Sequence, residues 1–233
     1  MMRALLLAGG MGTRLRPLTN RVPKCLVPIH GRPLLEYWLD LLLPSGIECV
    51  LINTHYLPDQ VRGYVAASPW CSRITLVHEE SLLGTGGTVL ANADFFANDS
   101  FMVAHADNLT CFSVSDFIKA HESRPQGAAI TMMTFLTDVP QSCGIVELDG
   151  AGLVQAFHEK MPHPPGNQAN AAVYIFAPEV VTFMRGLGKP VVDLSTEVIP
   201  HFLGRITTWL NTDYHRDIGT PGSLAMAEAE FVQ

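Results

Sequence analysis

The sequence predicts an α/β fold built on a mostly parallel sheet, and two observations predict it. Short β-rich runs alternate with helix-length amphipathic segments through the first 135 residues. Strands that alternate with helices pair in parallel, because each crossover helix returns the chain to the same end of the sheet. A glycine-rich turn, Gly9-Gly10-Met11-Gly12-Thr13, directly follows the first apolar run, Ala4 to Leu7. Ligands of such sheets bind beyond the carboxyl ends of the strands, where this turn falls.

Each element carries its own signal. Strands are expected at 3–7, 48–53, 73–78, 100–105 and 128–135, where β-branched and apolar residues cluster. A helix is expected over 34–43, entered by Pro33 and stopped by Pro44-Ser45-Gly46. Further helices are expected at 58–67, 88–93 and 115–121. In the second half, 144–148 and 153–158 flank Asp149-Gly150-Ala151-Gly152, a plausible hairpin turn. A strand over 170–176 follows a Pro-rich loop, and helices at 178–184, 196–203 and 221–231 complete the pattern. No repeat, low-complexity tract or long linker divides the chain. The expectation is one domain over 1–233, with 1–135 and 136–233 as its two halves.

Composition narrows the function classes. Of 233 residues, 48% are hydrophobic and 16% charged, enough for a large core and unlike a disordered chain. A net charge of −7 argues against a nucleic-acid partner, which requires a basic face. Five scattered cysteines without a CxxC pair argue against a disulfide framework or a zinc site. The first apolar run reaches glycine too early for a signal peptide, and no run of about 18 apolar residues follows. A cytoplasmic protein without a membrane partner is expected; oligomeric state, a homo-oligomer included, stays open.

Against the acidic balance, the first 32 residues hold six Lys or Arg and no Asp or Glu. This basic segment surrounds the glycine turn. Glycine lets backbone N–H groups approach a phosphate closely, and Arg14 and Lys24 add the charge a polyphosphate needs. The turn is not a P-loop, since no lysine follows glycine at the required place. Nor is it a dinucleotide fingerprint, because Gly10-Met11-Gly12-Thr13-Arg14-Leu15 lacks the last glycine.

It fits GGxGTRLxPLT followed by PKxLxPI, filled from Gly9 to Ile29. With this motif the chain resembles the sugar-1-phosphate nucleotidyltransferases. The resemblance continues through EESLLGTGGT (79–88), AHADN (104–108), FHEK (157–160), NAAVYIF (170–176) and RDIGTP (216–221). It implies a Rossmann-like α/β/α sandwich with a smaller sugar-binding lobe, 1–135 being the nucleotide-binding half and 136–233 the sugar-binding half. It also implies transfer of a nucleotidyl group from an NTP to a sugar 1-phosphate, with release of pyrophosphate.

The implied chemistry is mainly positioning and electrostatics, because the attacking phosphate oxygen is already ionised. The resemblance gives catalytic roles to Arg14, at the β- and γ-phosphates, and to Lys24, between the α-phosphate and the incoming sugar phosphate. It places Asp107 and Asp217 on one Mg²⁺, a hard cation that takes one or two carboxylates plus phosphates. Arg3 and Arg32 match nothing and read as surface charges. His105 reads as an ordinary strand-end histidine.

For the nucleotide, Leu7, Ala8, Gly9, Gly10, Gly12 and Thr13 are expected contacts, with Glu79, Glu80, Gly84 and Thr85 from the later loop. A carboxylate can take the adjacent N1–H and N2–H₂ donors of guanine together, whereas uracil or thymine sets carbonyls beside its one N–H. Glu79 or Glu80 therefore favours GTP, and which one remains open. Sugar contacts are expected from Asn108, Gly144, Glu159, Lys160 and Asn170. Ala106, Met161 and Ala172 depart from the family's usual glycine, proline and glycine, which weakens any assignment of the sugar.

A guanylyltransferase acting on a manno-configured hexose or heptose 1-phosphate is the leading expectation. A uridylyl- or thymidylyltransferase is the alternative within the class. A non-catalytic nucleotide-sugar-binding subunit is the alternative outside it, which the presence of Lys24, Asp107 and Asp217 disfavours. An appended acyltransferase domain is not expected, since no hexapeptide repeat follows Phe231.

Overall fold

The computed structural model describes residues 2–231. In chain order its elements are β1 (Met2–Leu7), β2 (Pro28–Ile29), β3 (Arg32–Pro33), α1 (Leu34–Leu42), β4 (Ile47–Thr54), α2 (Pro58–Ala67) and β5 (Ile74–His78). Then come α3 (Gly84–Ala91), β6 (Phe101–His105), β7 (Asn108–Cys111), α4 (Val114–Glu122), β8 (Ile130–Leu136), β9 (Gly144–Leu148) and β10 (Val154–Glu159). The chain ends with β11 (Gln168–Phe176), α5 (Pro178–Gly186), β12 (Ile206–Leu210), β13 (Tyr214–Asp217) and α6 (Pro221–Glu230). The α/β class read from the sequence is the class of the fold: helices flank strands that pair in parallel around an apolar core.

Contacts group the chain into two compact units. One comprises Met1–Leu82, Ala104–Val114 and Asp213–Gln233; the other comprises Leu83–Val103 and Ser115–Thr212.

In the first unit β1 and β5 flank β4, both in parallel. The register sets Leu7 beside Asn53, and Asn53 beside Val77, so three strands finish together. Leu5, Leu6, Val50 and Ile52 of the strands and Leu35, Trp38, Leu39 and Leu42 of α1 are all buried in the core. These α1 positions recur at helical spacing, which is why one face of the helix is apolar. The Trp38 indole donates to the Asn108 carbonyl at 2.9 Å and ties α1 to β7. A short antiparallel ladder of β7 and β13 then sets Asp217 opposite Asn108. At the start of α6, the Thr220 hydroxyl accepts from the Ser223 N–H while the Ser223 hydroxyl accepts from the Thr220 N–H, a reciprocal cap.

The second unit is richer in antiparallel pairs. β8 and β9 pair with β11, and β10 with β9, all antiparallel, whereas β12 joins β8 in parallel. The expected hairpin forms as β9 and β10. Asp149 Oδ1 accepts from the Ala151 and Leu153 N–H groups at 2.9 Å each and shapes its turn.

Two expected helices differ from the observed ones. α3 begins at Gly84 instead of residue 88, although glycine is a poor helix former. The reason is tertiary: the Gly86 and Gly87 N–H groups donate to the Val192 carbonyl at 2.9 and 3.0 Å. The helix expected over 196–203 is instead a wide turn, Leu194–Val198, running into a 3₁₀ turn, Ile199–Phe202. Pro200 lacks the N–H that a regular helix needs there. Among the described residues, no helix is long and apolar enough to cross a membrane.

Candidate active site

The basic segment wraps around two carboxylates. After β1 the chain enters the glycine turn, where Gly12 adopts φ 61°, a conformation that favours glycine. A Cβ on Gly12 would stand 2.9 Å from Thr19 Cγ2 and 3.2 Å from Lys24 Cβ. The Thr19 hydroxyl donates to the Gly12 carbonyl at 2.7 Å and closes the turn. Gly12 thus lets the turn pack against the base of Lys24.

Lys24 opens a 3₁₀ turn after Pro23, and its side chain is only 8% exposed. Its ammonium donates to Asp107 Oδ2 at 2.7 Å and to Asp217 Oδ1 at 3.2 Å. A buried ammonium needs such partners, since an uncompensated charge costs several kcal/mol, on the order of that for any buried ion. The β7–β13 ladder explains how carboxylates so distant in sequence meet: Asp217 faces Asn108, the neighbour of Asp107. Arg14 Nη2 lies 3.6 Å from Asp217 Oδ2, with its side chain 66% exposed. A Cβ on Gly219 would stand 2.7 Å from Arg14 Nη2, so glycine there leaves room for that approach. Partial desolvation pushes the Asp107 carboxyl up, but the Lys24 and His105 charges and the Lys24 hydrogen bond hold it below the ordinary carboxylate value.

A second cluster forms at the carboxyl ends of β1, β4 and β5. Asn53 Oδ1 accepts from the Ala8 N–H at 2.7 Å, and Asn53 Nδ2 donates to Glu79 Oε1 at 3.1 Å. Glu79 is buried and Glu80 is exposed. The main chain of Glu79 is also held, its N–H by the Thr54 carbonyl and its carbonyl by His55 Nδ1, each at 2.8 Å. A Cβ on Gly9 would stand 2.9 Å from Asn53 Nδ2, whereas one on Gly10 would meet open space. Thr13 is exposed, and the Leu7 carbonyl accepts from the Ala106 N–H at 3.1 Å.

The family model described as "Nucleotidyl transferase" matches residues 3–233. The chain belongs to the nucleotidyl transferase family. It is 34% identical over 235 residues to a mannose-1-phosphate guanylyltransferase of Mycobacterium tuberculosis, covering 99% of this chain and 64% of that one. It is 33% identical over 180 residues to a glucose-1-phosphate thymidylyltransferase of Streptomyces griseus, covering 77% of this chain and 50% of that one. The chain therefore spans about half to two thirds of these relatives. Among solved structures, a putative glucose-1-phosphate thymidylyltransferase from Bacillus anthracis superposes with a TM-score of 0.86 at 21% identity, covering 100% of this chain and 98% of that one.

The remaining residues expected at the site belong to the second unit, apart from Asn108, whose side chain is buried in the first. Gly84, at φ 75°, would direct a Cβ to 2.5 Å from the Val192 carbonyl, and the Thr85 hydroxyl accepts from the Leu194 N–H at 2.8 Å. Both are engaged by the segment around residues 190–194. A Cβ on Gly144 would stand 2.5 Å from the Phe157 ring and 2.9 Å from Glu159 Oε2. Lys160 Nζ lies 3.4 Å from Glu159 Oε1. Asn170 accepts from the Ala172 N–H at 2.9 Å and donates to the Tyr174 hydroxyl at 2.6 Å. Arg3 and Arg32 pair with Glu48, and with Glu36 and Asp40, on the surface.

Asn53 and Val192 were not expected at the site or beside the glycine helix. The sequence did carry a signal for Asn53, a polar residue directly after the apolar run Val50-Leu51-Ile52. A buried amide at a strand's carboxyl end is there for its hydrogen bonds.

Proposed function

We propose that the protein is a sugar-1-phosphate nucleotidyltransferase that takes GTP and a manno-configured sugar 1-phosphate. The observation that carries the reading is one ammonium held between two carboxylates from distant parts of the chain, beside the glycine turn. The relatives named above act on sugar 1-phosphates, which agrees with it.

The reaction joins two anions, so the protein's task is to lower repulsion and align the partners. Arg14, exposed at the lip of the turn, serves the β- and γ-phosphates, whose charge grows as pyrophosphate leaves. Lys24 bridges the α-phosphate and the incoming sugar phosphate. Its three N–H donors serve phosphate oxygens once its carboxylate contacts loosen. The backbone at Gly9, Gly10, Gly12 and Thr13 lines the polyphosphate, and no general base is needed.

Asp107 and Asp217 fit a hard divalent cation, Mg²⁺. Both already point at one cationic group, and their oxygens are the donors such an ion prefers. When bound, the ion supplies charge neutralisation and alignment of phosphate oxygens.

Glu79 is the base reader in this proposal, because it is the buried, fixed member of the pair. Its acceptor oxygens match guanine N1–H and N2–H₂. Glu159 and Asn170 serve sugar hydroxyls, Lys160 the sugar phosphate, and Gly144 allows close backbone approach. A matrix of GTP, UTP, dTTP and ATP against mannose, glucose and heptose 1-phosphates, read by pyrophosphate release, tests the reading. Best turnover with GTP and a manno sugar supports it. A preference for UTP or dTTP replaces the base, and no turnover with any pair removes the enzyme.

A further inference from the structure

Asn53 is 3% exposed at the end of β4, between β1 and β5. It is neither a phosphate ligand nor a charge, yet it links two groups at the nucleotide end of the sheet. The Ala8 N–H can only donate, so the atom facing it must be the amide oxygen; the amide nitrogen is then the atom facing Glu79. The side chain thus has one possible orientation, fixed by its partners. Gly9 packs so closely on Asn53 Nδ2 that any Cβ there would stand 2.9 Å away. Glycine turn, amide and carboxylate form one packed unit.

We infer that Asn53 is a positioning residue that sets which nucleobase the protein accepts. It does so in two ways. It consumes the Ala8 N–H, so a base meets the Ala8 main chain only at its carbonyl, an acceptor. It also holds one carboxylate oxygen of Glu79 and so fixes where the other oxygen points. Both effects make the local lining acceptor-rich. Guanine presents N1–H and N2–H₂ side by side and suits such a lining, whereas uracil and thymine bring carbonyls on both sides of one N–H. This inference rests on the reading of Glu79 as the base contact, and it adds the group that holds Glu79 and silences the backbone donor.

The test measures kcat/KM for GTP, UTP and dTTP with one sugar 1-phosphate in wild type, Asn53→Ala, Asn53→Ser, Asn53→Asp and Glu79→Gln. Ratios between nucleotides do not depend on the fraction of enzyme that is folded, so partly misfolded variants still report. Serine keeps a hydroxyl but cannot span both partners. Aspartate keeps the acceptor for Ala8 and loses the donor to Glu79. Each Asn53 variant is expected to lower the GTP:UTP and GTP:dTTP ratios by about tenfold or more, as a site rejects or admits bases by its unpaired polar groups. If all three nucleotides lose efficiency equally in the Asn53 variants while Glu79→Gln changes the ratios, Asn53 is only structural and the inference is overturned, with Glu79 intact as reader. If Glu79→Gln also leaves the ratios unchanged, Glu79 does not read the base and the inference falls with it.

Discussion

The Lys24 ammonium lies 2.7 Å from Asp107 Oδ2 and reaches Asp217 at 3.2 Å, so one buried cation bridges both carboxylates proposed to hold the metal. Substrate phosphates and the two carboxylates therefore compete for Lys24. Lys24→Ala should lower kcat by about 10²–10³, the usual cost of losing one such electrostatic contact. The same variant should bind Mn²⁺ more tightly without nucleotide, by about tenfold, because a competing charge is gone. Steady-state kinetics and paramagnetic metal titration check the two halves. A variant that keeps more than half the wild-type kcat would sink the catalytic role.

Asp107→Asn and Asp217→Asn should each raise the Mg²⁺ concentration needed for half-maximal rate, since each removes a ligand charge. Asp107→Asn should also destabilise the fold more than Asp217→Asn. Asp107 makes the shorter contact with buried Lys24, and its side chain is 39% exposed against 51% for Asp217. Leaving a buried charge half-compensated costs about 1–3 kcal/mol. Metal titrations and urea melts separate the two effects. Full activity after EDTA treatment would remove the two-carboxylate site.

How far the sequence disclosed this site follows from what each part depends on. The glycine turn, Arg14 and Lys24 were legible because they sit in one contiguous motif with local geometry, φ 61° at Gly12 included. The Asp107–Asp217 pairing came only through family resemblance. It depends on β7 and β13, short strands of ordinary composition whose pairing no local pattern announces. Burial distinguished Glu79 from Glu80, and a pair of adjacent identical residues carries no such information in sequence. Gly84 and Thr85 were expected beside the nucleotide, and Gly86 and Gly87 follow them in the same segment. Their close neighbour in the fold is the chain at Pro190–Val192, about a hundred residues away, so periodicity could not reveal it.

Two glycine-to-alanine changes in helices should have opposite signs. At Gly87 in α3, a Cβ would stand 2.4 Å from the Pro190 carbonyl oxygen and 3.0 Å from Leu83 Cβ. That clash with backbone should outweigh the better helix propensity of alanine and destabilise by about 1–3 kcal/mol. At Gly63 in α2 an added Cβ meets open space, so Gly63→Ala should stabilise by up to about 1 kcal/mol. Chemical denaturation of both variants reads the difference. A tolerated Gly87→Ala would show that the 190–192 segment yields easily.

Ala172 occupies φ 54° where β11 bulges against β8, a conformation that costs a residue with a Cβ about 1–2 kcal/mol. Asn170 stabilises the bulge by accepting from the Ala172 N–H. Ala172→Gly should therefore raise stability by about 0.5–1 kcal/mol after the added freedom of the unfolded chain is counted. A glycine would adopt this conformation without that penalty, so the methyl is a cost carried by this chain. Thermal denaturation checks the sign, and an altered sugar 1-phosphate preference in the variant would assign the methyl a place in the sugar pocket.

His121 gives the fold a pH dependence that can be isolated. Its ring is buried in the second unit, with Nδ1 2.8 Å from the Thr131 hydroxyl and Nε2 3.1 Å from the Ser100 hydroxyl. A neutral imidazole, one donor and one acceptor, satisfies both hydroxyls. Burial, and then the Arg124 charge, depress its pKa from 6.5 to about 4. The unfolded chain therefore takes up a proton below pH 6.5 that the native state refuses until about pH 4. Stability from this group is complete above pH 6.5 and declines as pH falls, by at most about 1.4 kcal/mol per unit and about 3 kcal/mol across the window. His121→Gln keeps a donor and an acceptor but cannot titrate. It should be less stable than wild type at pH 7.5, and the gap should narrow or reverse by pH 4.5. Urea unfolding of both proteins at those two pH values decides the matter. A gap that stays constant would mean that His121 titrates alike in the folded and unfolded chain.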